Sequence, residues 1–189
     1  MSRPRSDVKR RAILDAALRV FAELGISNAP TWAISKSAGV AEGTLFTYFE
    51  SKDAMMAELY RELRQEFSRN LGDFPFEGDA RTRLRYIWDT YLDLAAKHPD
   101  NLRVLSQLRS SGKLFKENET PALAFVEVLR ATHEVVSGGE LEAAPPEYLV
   151  LMMRSQVEMT FEFMQANPEH AEISRELGFR MLWNGLTGK

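Results

Sequence analysis

The sequence predicts an all-α chain of about nine helices, and three observations carry that reading. Apolar residues recur at three- and four-residue spacing along almost the whole chain, the period of one helix face. Strand-like alternation bounded by turn residues is missing, as are internal repeats and low-complexity tracts. Most prolines and glycines fall between the periodic stretches, where they stop or start helices.

Taken in order, the first helix is predicted over residues 6–24, with Val8, Ile13, Ala16, Ala17, Val20, Phe21 and Leu24 on one stripe and Gly25 as its stop. A short helix over 31–38 has Pro30 near its start, an acceptable position for proline. A shorter one over 42–48 follows, and Ser51 caps a long helix to about residue 71. After the loop GDFPFEGD comes a helix over 80–97, closed by His98-Pro99. Shorter helical pieces cover about 100–116, and Pro121 opens a helix to 136 that SGGELEAAPPE breaks. Helices over 146–166 and 168–186 finish the chain.

At 189 residues, with 44% hydrophobic and 27% charged residues, the composition is that of an ordinary soluble globular protein. No cysteine is present, which excludes thiolate chemistry and suits a reducing cytoplasm. MSRPRSDVKRR has no apolar core and reads as no signal peptide, and the longest apolar run, YLVLMM, is far too short for a membrane span. The net charge of -3 hides an asymmetry. Residues 1–52 carry eight Lys/Arg against five Asp/Glu, whereas the remainder carries sixteen against twenty-two.

The stretch AGVAEGTLFTYFESKD, residues 38–53, asks for a specific explanation. Its short helix would not hold in isolation, so neighbours must carry it. Gly39 sits where the chain leaves the preceding helix, and glycine tolerates the left-handed backbone of a tight turn. Ile34, Val40 and Leu45 supply apolar pins toward the first helix, and small Ser35 permits a close crossing. This is the pattern of a helix-turn-helix, whose second helix enters the DNA major groove by its N-terminal residues. Gly43 then lets backbone approach a phosphate or base, and Thr44 and Thr47 offer outward hydroxyls. A pair of short helices serving only as structure has the same pattern, so the spacing alone leaves both open. Arg3 and Arg5 suit either a minor-groove arm or a solvated tail.

ISKSAGVAEGTLFTYFESKDAM closely resembles the signature of the TetR family of transcriptional regulators, and the likeness runs over about residues 6–60. MSRPRSDVKRRAIL, AGVAEGTLFTYF, YIWDTYL and LGFRMLW are similar to the RamR-like branch of repressors, which is associated with multidrug efflux control. The resemblance implies a homodimer with an N-terminal DNA-binding domain, here residues 1–52, and a ligand-binding and dimerisation domain, residues 53–189. It implies that Ala41, Glu42 and Gly43 begin the recognition helix and that Thr44 and Thr47 lie on it. Tyr48 and Lys52 would reach phosphates, with Thr31 and Lys36 positioning the preceding helix. The sequence departs from the family at Phe46, where a tyrosine is usual, and at Ala29-Pro30. Trp32 is unusual on an exposed turn and is expected to pack against the arm.

The helix over 146–166 is apolar over an arc of roughly 220°, about twice what one buried face needs. It therefore needs two partners, its own core and a second subunit. The last helix has two rows, Ile173, Leu177 and Met181 in one, Phe179, Trp183 and Leu186 in the other, with Gly178 and Gly185 permitting close approach. A four-helix dimer interface follows, expected at Val157, Phe161, Met164, Gly178, Phe179 and Trp183. Tyr60, Trp88, Tyr91, Met153 and Phe161 form a soft aromatic and thioether set suited either to core or to an adaptable pocket. Tyr60 and Trp88 match pocket-lining aromatics of the RamR-like branch, whereas Met153 stands where that branch has an aromatic.

Catalysis finds little support. His98, His133 and His170 have no metal-site spacing, and no nucleophile-elbow, phosphate-loop or dinucleotide fingerprint occurs. The expected protein is a cofactor-free, cytoplasmic, homodimeric repressor of a DNA operator, released by a small apolar or cationic aromatic effector. The alternatives are a helical small-molecule binding protein, a regulator without an inducer, and an activator.

Overall fold

The computed structural model describes residues 6–72, 74–111, 123–139 and 141–188. Among them are nine α-helices, one 3-10 turn and no strand. In chain order these are α1 (Asp7–Leu24), α2 (Thr31–Ser37), α3 (Glu42–Tyr48), α4 (Lys52–Asn70), α5 (Ala80–Lys97), α6 (Pro99–Ser110), α7 (Leu123–Val136), α8 (Pro146–Ala166) and α9 (Ala171–Thr187), with the 3-10 turn at Pro168–His170. The expected pieces over 100–116 are one helix to Ser110, and the expected start of α7 at Pro121 lies outside the described residues. The last helix begins as a 3-10 turn, after Asn167 leaves α8 with non-helical backbone (φ -136°, ψ 71°).

Local chemistry sets several of these ends. Gly25 takes φ +76° and donates its N–H to Phe21 O at 3.0 Å, ending α1. Ser51 Oγ accepts from Ala54 N at 3.0 Å at the start of α4. Asp79 does the same for α5, its Oδ1 accepting from Thr82 N at 2.7 Å.

By contact the chain divides into two compact units. The first draws its described residues from Met1–Gln65 and His98–Asn118, the second from Glu66–Lys97 and Glu119–Lys189. In the first, Ile13, Ala17 and Phe21 of α1 meet Ile34 of α2, Leu45 of α3, Met55 and Leu59 of α4, and Val104 and Leu108 of α6 in one buried cluster. Burying each large apolar side chain contributes about 1.5–3 kcal/mol, which is how helices as short as α2 and α3 are held. The expected division at residue 52, after α1, α2 and α3, falls within the first unit. The core that carries those elements continues into α4 and α6. Ile26 N also donates to Gln107 Oε1 of α6 at 3.1 Å. Val8 and Leu24, at the two ends of the expected α1 stripe, are exposed because that cluster does not extend to them.

The second unit packs α5, α7, α8 and α9 around Leu84, Trp88, Leu92, Ala131, Val136, Met153, Phe179 and Leu182. A Cβ added at Gly178 would lie 2.6 Å from Thr160 Oγ1 and 2.7 Å from Trp88 Cζ2, so α9 meets α5 and α8 where only glycine fits. Arg83 is buried here, pairing with Glu134 and donating from Nη1 to Gly78 O at 2.8 Å. No described helix is long and apolar enough to cross a membrane.

Candidate nucleic-acid interface

The turn between α2 and α3 is built by Gly39, at φ +67°, with Val40 N donating to Ser35 O at 3.0 Å. Ile34 and Leu45 are fully buried on either side of it, and Val40 packs partly on the same cluster. The inward positions of α2 and α3 are thereby fixed. Ala41, Glu42, Gly43 and Thr47 are left exposed, and Thr44 is half-buried. These five are the start and outer face of the recognition helix expected from the sequence.

Two hydroxyls on this surface are already engaged. Thr31 Oγ1 donates to Glu42 Oε1 at 2.6 Å, joining the starts of α2 and α3. Thr47 Oγ1 donates back to Gly43 O at 3.0 Å. Lys36, one residue from the end of α2, is exposed. Tyr48 lies at the end of α3, and its hydroxyl accepts from Ser6 N at 3.0 Å, tying α3 to the start of α1. A phenol that accepts this bond still holds a proton to donate outward. Gly43 has open space around the position of a Cβ and no left-handed φ, so the fold itself does not require glycine there. Arg3 and Arg5 lie outside the described residues.

Lys52 differs from expectation. Its Nζ turns inward and donates to Ile26 O and Ala29 O, both at 2.6 Å, with the Phe21 ring centroid 5.7 Å away. These bonds tie the first turn of α4 to the α1–α2 connection. Trp32 is 57% exposed. Arg10 pairs with Glu58 and Glu62, and Arg11 with Asp15 and Glu62, so these charges brace α1 against α4 and along itself.

Of the residues expected to hold an effector, Tyr60 belongs to the first unit, with the Arg64 guanidinium 5.5 Å from its ring centroid. The other four belong to the second unit. Trp88 is 1% exposed and its indole N–H has no partner among the described residues, while Tyr91 packs against Phe67 with ring centroids 4.9 Å apart. Met153 and Phe161 are buried, and Met153 Sδ accepts from Thr132 Oγ1 at 3.1 Å. A separate groove of about 620 Å³ lies between α5 and α9, lined by Arg81, Arg85, Arg180, Ile173 and Leu177 among others, and none of the five expected residues lines it.

The residues expected at a dimer interface differ in their exposure. Val157, Phe161, Gly178 and Phe179 are buried within the second unit, and Trp183 is half-buried, its ring centroid 5.2 Å from the Arg81 guanidinium. Met164 is half-buried. Exposed apolar side chains in the same helices are Tyr148, Leu151, Met159 and Phe163 on α8 and Ile173, Leu177 and Met181 on α9. Helical spacing identified both rows of α9 but could not say which one the protomer's own core would take.

Residues 13–59 match the family model of bacterial regulatory proteins of the tetR family. That match spans most of α1, all of α2 and α3 and the first turns of α4. It is 32% identical over 101 residues to the fatty acid metabolism regulator protein of Bacillus subtilis (strain 168), covering 53% of this chain and 52% of that one. It is 35% identical over 72 residues to the HTH-type transcriptional regulator AcrR of Shigella flexneri, covering 38% of this chain and 32% of the other. The chain thus spans about a third to a half of these curated relatives. A structure solved as a tetR family transcription regulator from Shewanella sp. PV-4 is similar over far more. It covers 96% of this chain and 98% of its own, with TM-score 0.80 and 26% identity. The TetR-type fold therefore extends through the second unit as well as the first.

Proposed function

We propose that this TetR-type protein is a transcriptional repressor that binds a pseudopalindromic DNA operator as a homodimer. The observation that carries the reading is α3 itself. A seven-residue helix is held by buried Leu45, while its first residues and outer face stand clear of the core, within the segment that matches the family model. Lys36 and Tyr48 flank that face, and phosphate contacts from such residues fix register while base edges carry sequence.

Dimerisation rests on the exposed apolar faces of α8 and α9, since a second copy would remove Tyr148, Leu151, Met159 and Phe163 from water. Release would come from a small, mostly apolar or cationic aromatic effector bound in the second unit around Trp88, Met153 and Phe161. Such a molecule must bind the released arrangement of the dimer better than the DNA-competent one, or it shifts nothing. Within the family we place the protein beside the RamR-like repressors, on its arm, its AGVAEGTLFTYF and its terminal LGFRMLW.

Selection of bound genomic fragments by the purified protein tests the proposal. It predicts one enriched site with twofold symmetry, its half-sites about one helical turn (~34–36 Å) or a multiple apart. Enrichment of no sequence, or of an asymmetric site, would contradict it.

A further inference from the structure

We propose that Glu42 is a base-reading residue that selects cytosine in each half-site, with Thr31 as its positioning residue. The inference rests on the DNA-reading assignment of α3 and names what one of its residues recognises. Glu42 is the first residue of α3 and is exposed. A carboxylate on a surface that meets phosphates is unfavourable unless it faces a hydrogen-bond donor, and the only donors in the major groove are the amino groups of cytosine and adenine.

Geometry and chemistry narrow the choice. Thr31 Oγ1 donates to Oε1 at 2.6 Å and so limits the rotation of the side chain. Oε2 accepts no hydrogen bond among the described residues and is left for a partner outside the protein. Adenine presents its amino group beside N7, an acceptor that repels a carboxylate oxygen. Guanine O6 and N7 and thymine O4 are acceptors as well, whereas the cytosine amino group has no acceptor beside it on its own base edge. A carboxylate therefore favours cytosine and excludes guanine and thymine at one position.

Gly43 supports the same placement independently. The space around it is open and its backbone would accept any residue, so a bare backbone there has no use inside the fold. Next to Glu42 it removes the side chain that would hold α3 away from the groove wall.

The test takes the selected site, replaces each base pair in turn by the other three, and measures relative affinity for the full-length wild type, Glu42→Gln and Glu42→Ala. Wild type should prefer cytosine by about tenfold or more at one position, repeated by symmetry in the other half-site. Glu42→Gln should move that preference to adenine, which pairs with an amide through N6 and N7. Glu42→Ala should flatten the position to within about twofold and leave the others unchanged. Thr31→Val should narrow the discrimination at that position alone, and Thr31→Ser should restore it. Glu42 is exposed, and melting curves check that each variant folds. If Glu42→Ala keeps every base preference, the inference falls while DNA reading stands. If wild type selects no site at all, both fall together.

Discussion

The ammonium of Lys52 lies 2.6 Å from the carbonyl oxygen of Ala29, the residue before Pro30, and this bond joins the first turn of α4 to the entry of α2. A second bond of the same length reaches Ile26 O. By sequence Lys52 reads as a phosphate contact, and by structure it sets where the helix-turn-helix begins.

Lys52→Met tests which role operates. Removing a charged donor from two carbonyls should cost about 1.5–3 kcal/mol of stability, read as a lower midpoint in denaturant. DNA affinity should fall, yet the slope of log affinity against log salt should match wild type. Lys36→Met should behave oppositely, melting like wild type while its slope drops by about one. A drop of that size for Lys52→Met would return it to the phosphate.

Gly43→Ala separates folding from reading. Alanine should stabilise α3 by about 0.5–1 kcal/mol, because the position is helical and open. Specific DNA affinity should nonetheless weaken, measured on the same protein preparation. An alanine variant that is both more stable and equally tight would show that the bare backbone at 43 has no part in binding.

Gly178→Ala should be among the more damaging single changes in the second unit. Its new methyl group would meet buried Trp88 and Thr160 Oγ1. Overpacking of this kind costs about 1–3 kcal/mol, so the unfolding midpoint should fall clearly below wild type.

Asp79 predicts a pH signature. Its hydrogen bonds with Thr82, first the backbone N–H, hold the carboxyl below its ordinary value. A folded value below the unfolded one means that the contribution is present above the unfolded value and fades as pH falls through the folded one. Wild type should therefore melt above Asp79→Ala at neutral pH, and the gap should close on acidification below pH 3.8. A gap that persists unchanged there would mean that the cap does not depend on the charge.

Most helices were legible from periodicity and punctuation, and α3, α5 and α8 fall at the expected residues, because Gly39, Asp79 and Pro146 act locally at their starts. What the sequence hides is where a side chain turns when two faces would accept it. Phe161 and Met159 lie on one apolar helix, but only packing decides that Phe161 goes inward and Met159 outward. Lys52 reads as available charge until the carbonyls of Ile26 and Ala29 are found around it. Charge counted along a sequence says nothing about charge already spent. The Thr31–Glu42 bond spans the turn and has no sequence signal of its own.

The measurement that bears most directly on the central claim is fluorescence anisotropy of DNA from the region beside the protein's own gene, together with fragments recovered by selection. Two salt concentrations and an unrelated duplex serve as controls. The account predicts tight binding to at least one of these sites, far weaker binding to the unrelated duplex, and a steep loss of affinity as salt rises. Affinity for every site no better than for the unrelated duplex would contradict the account, and α3 would then be a helix that no longer reads DNA.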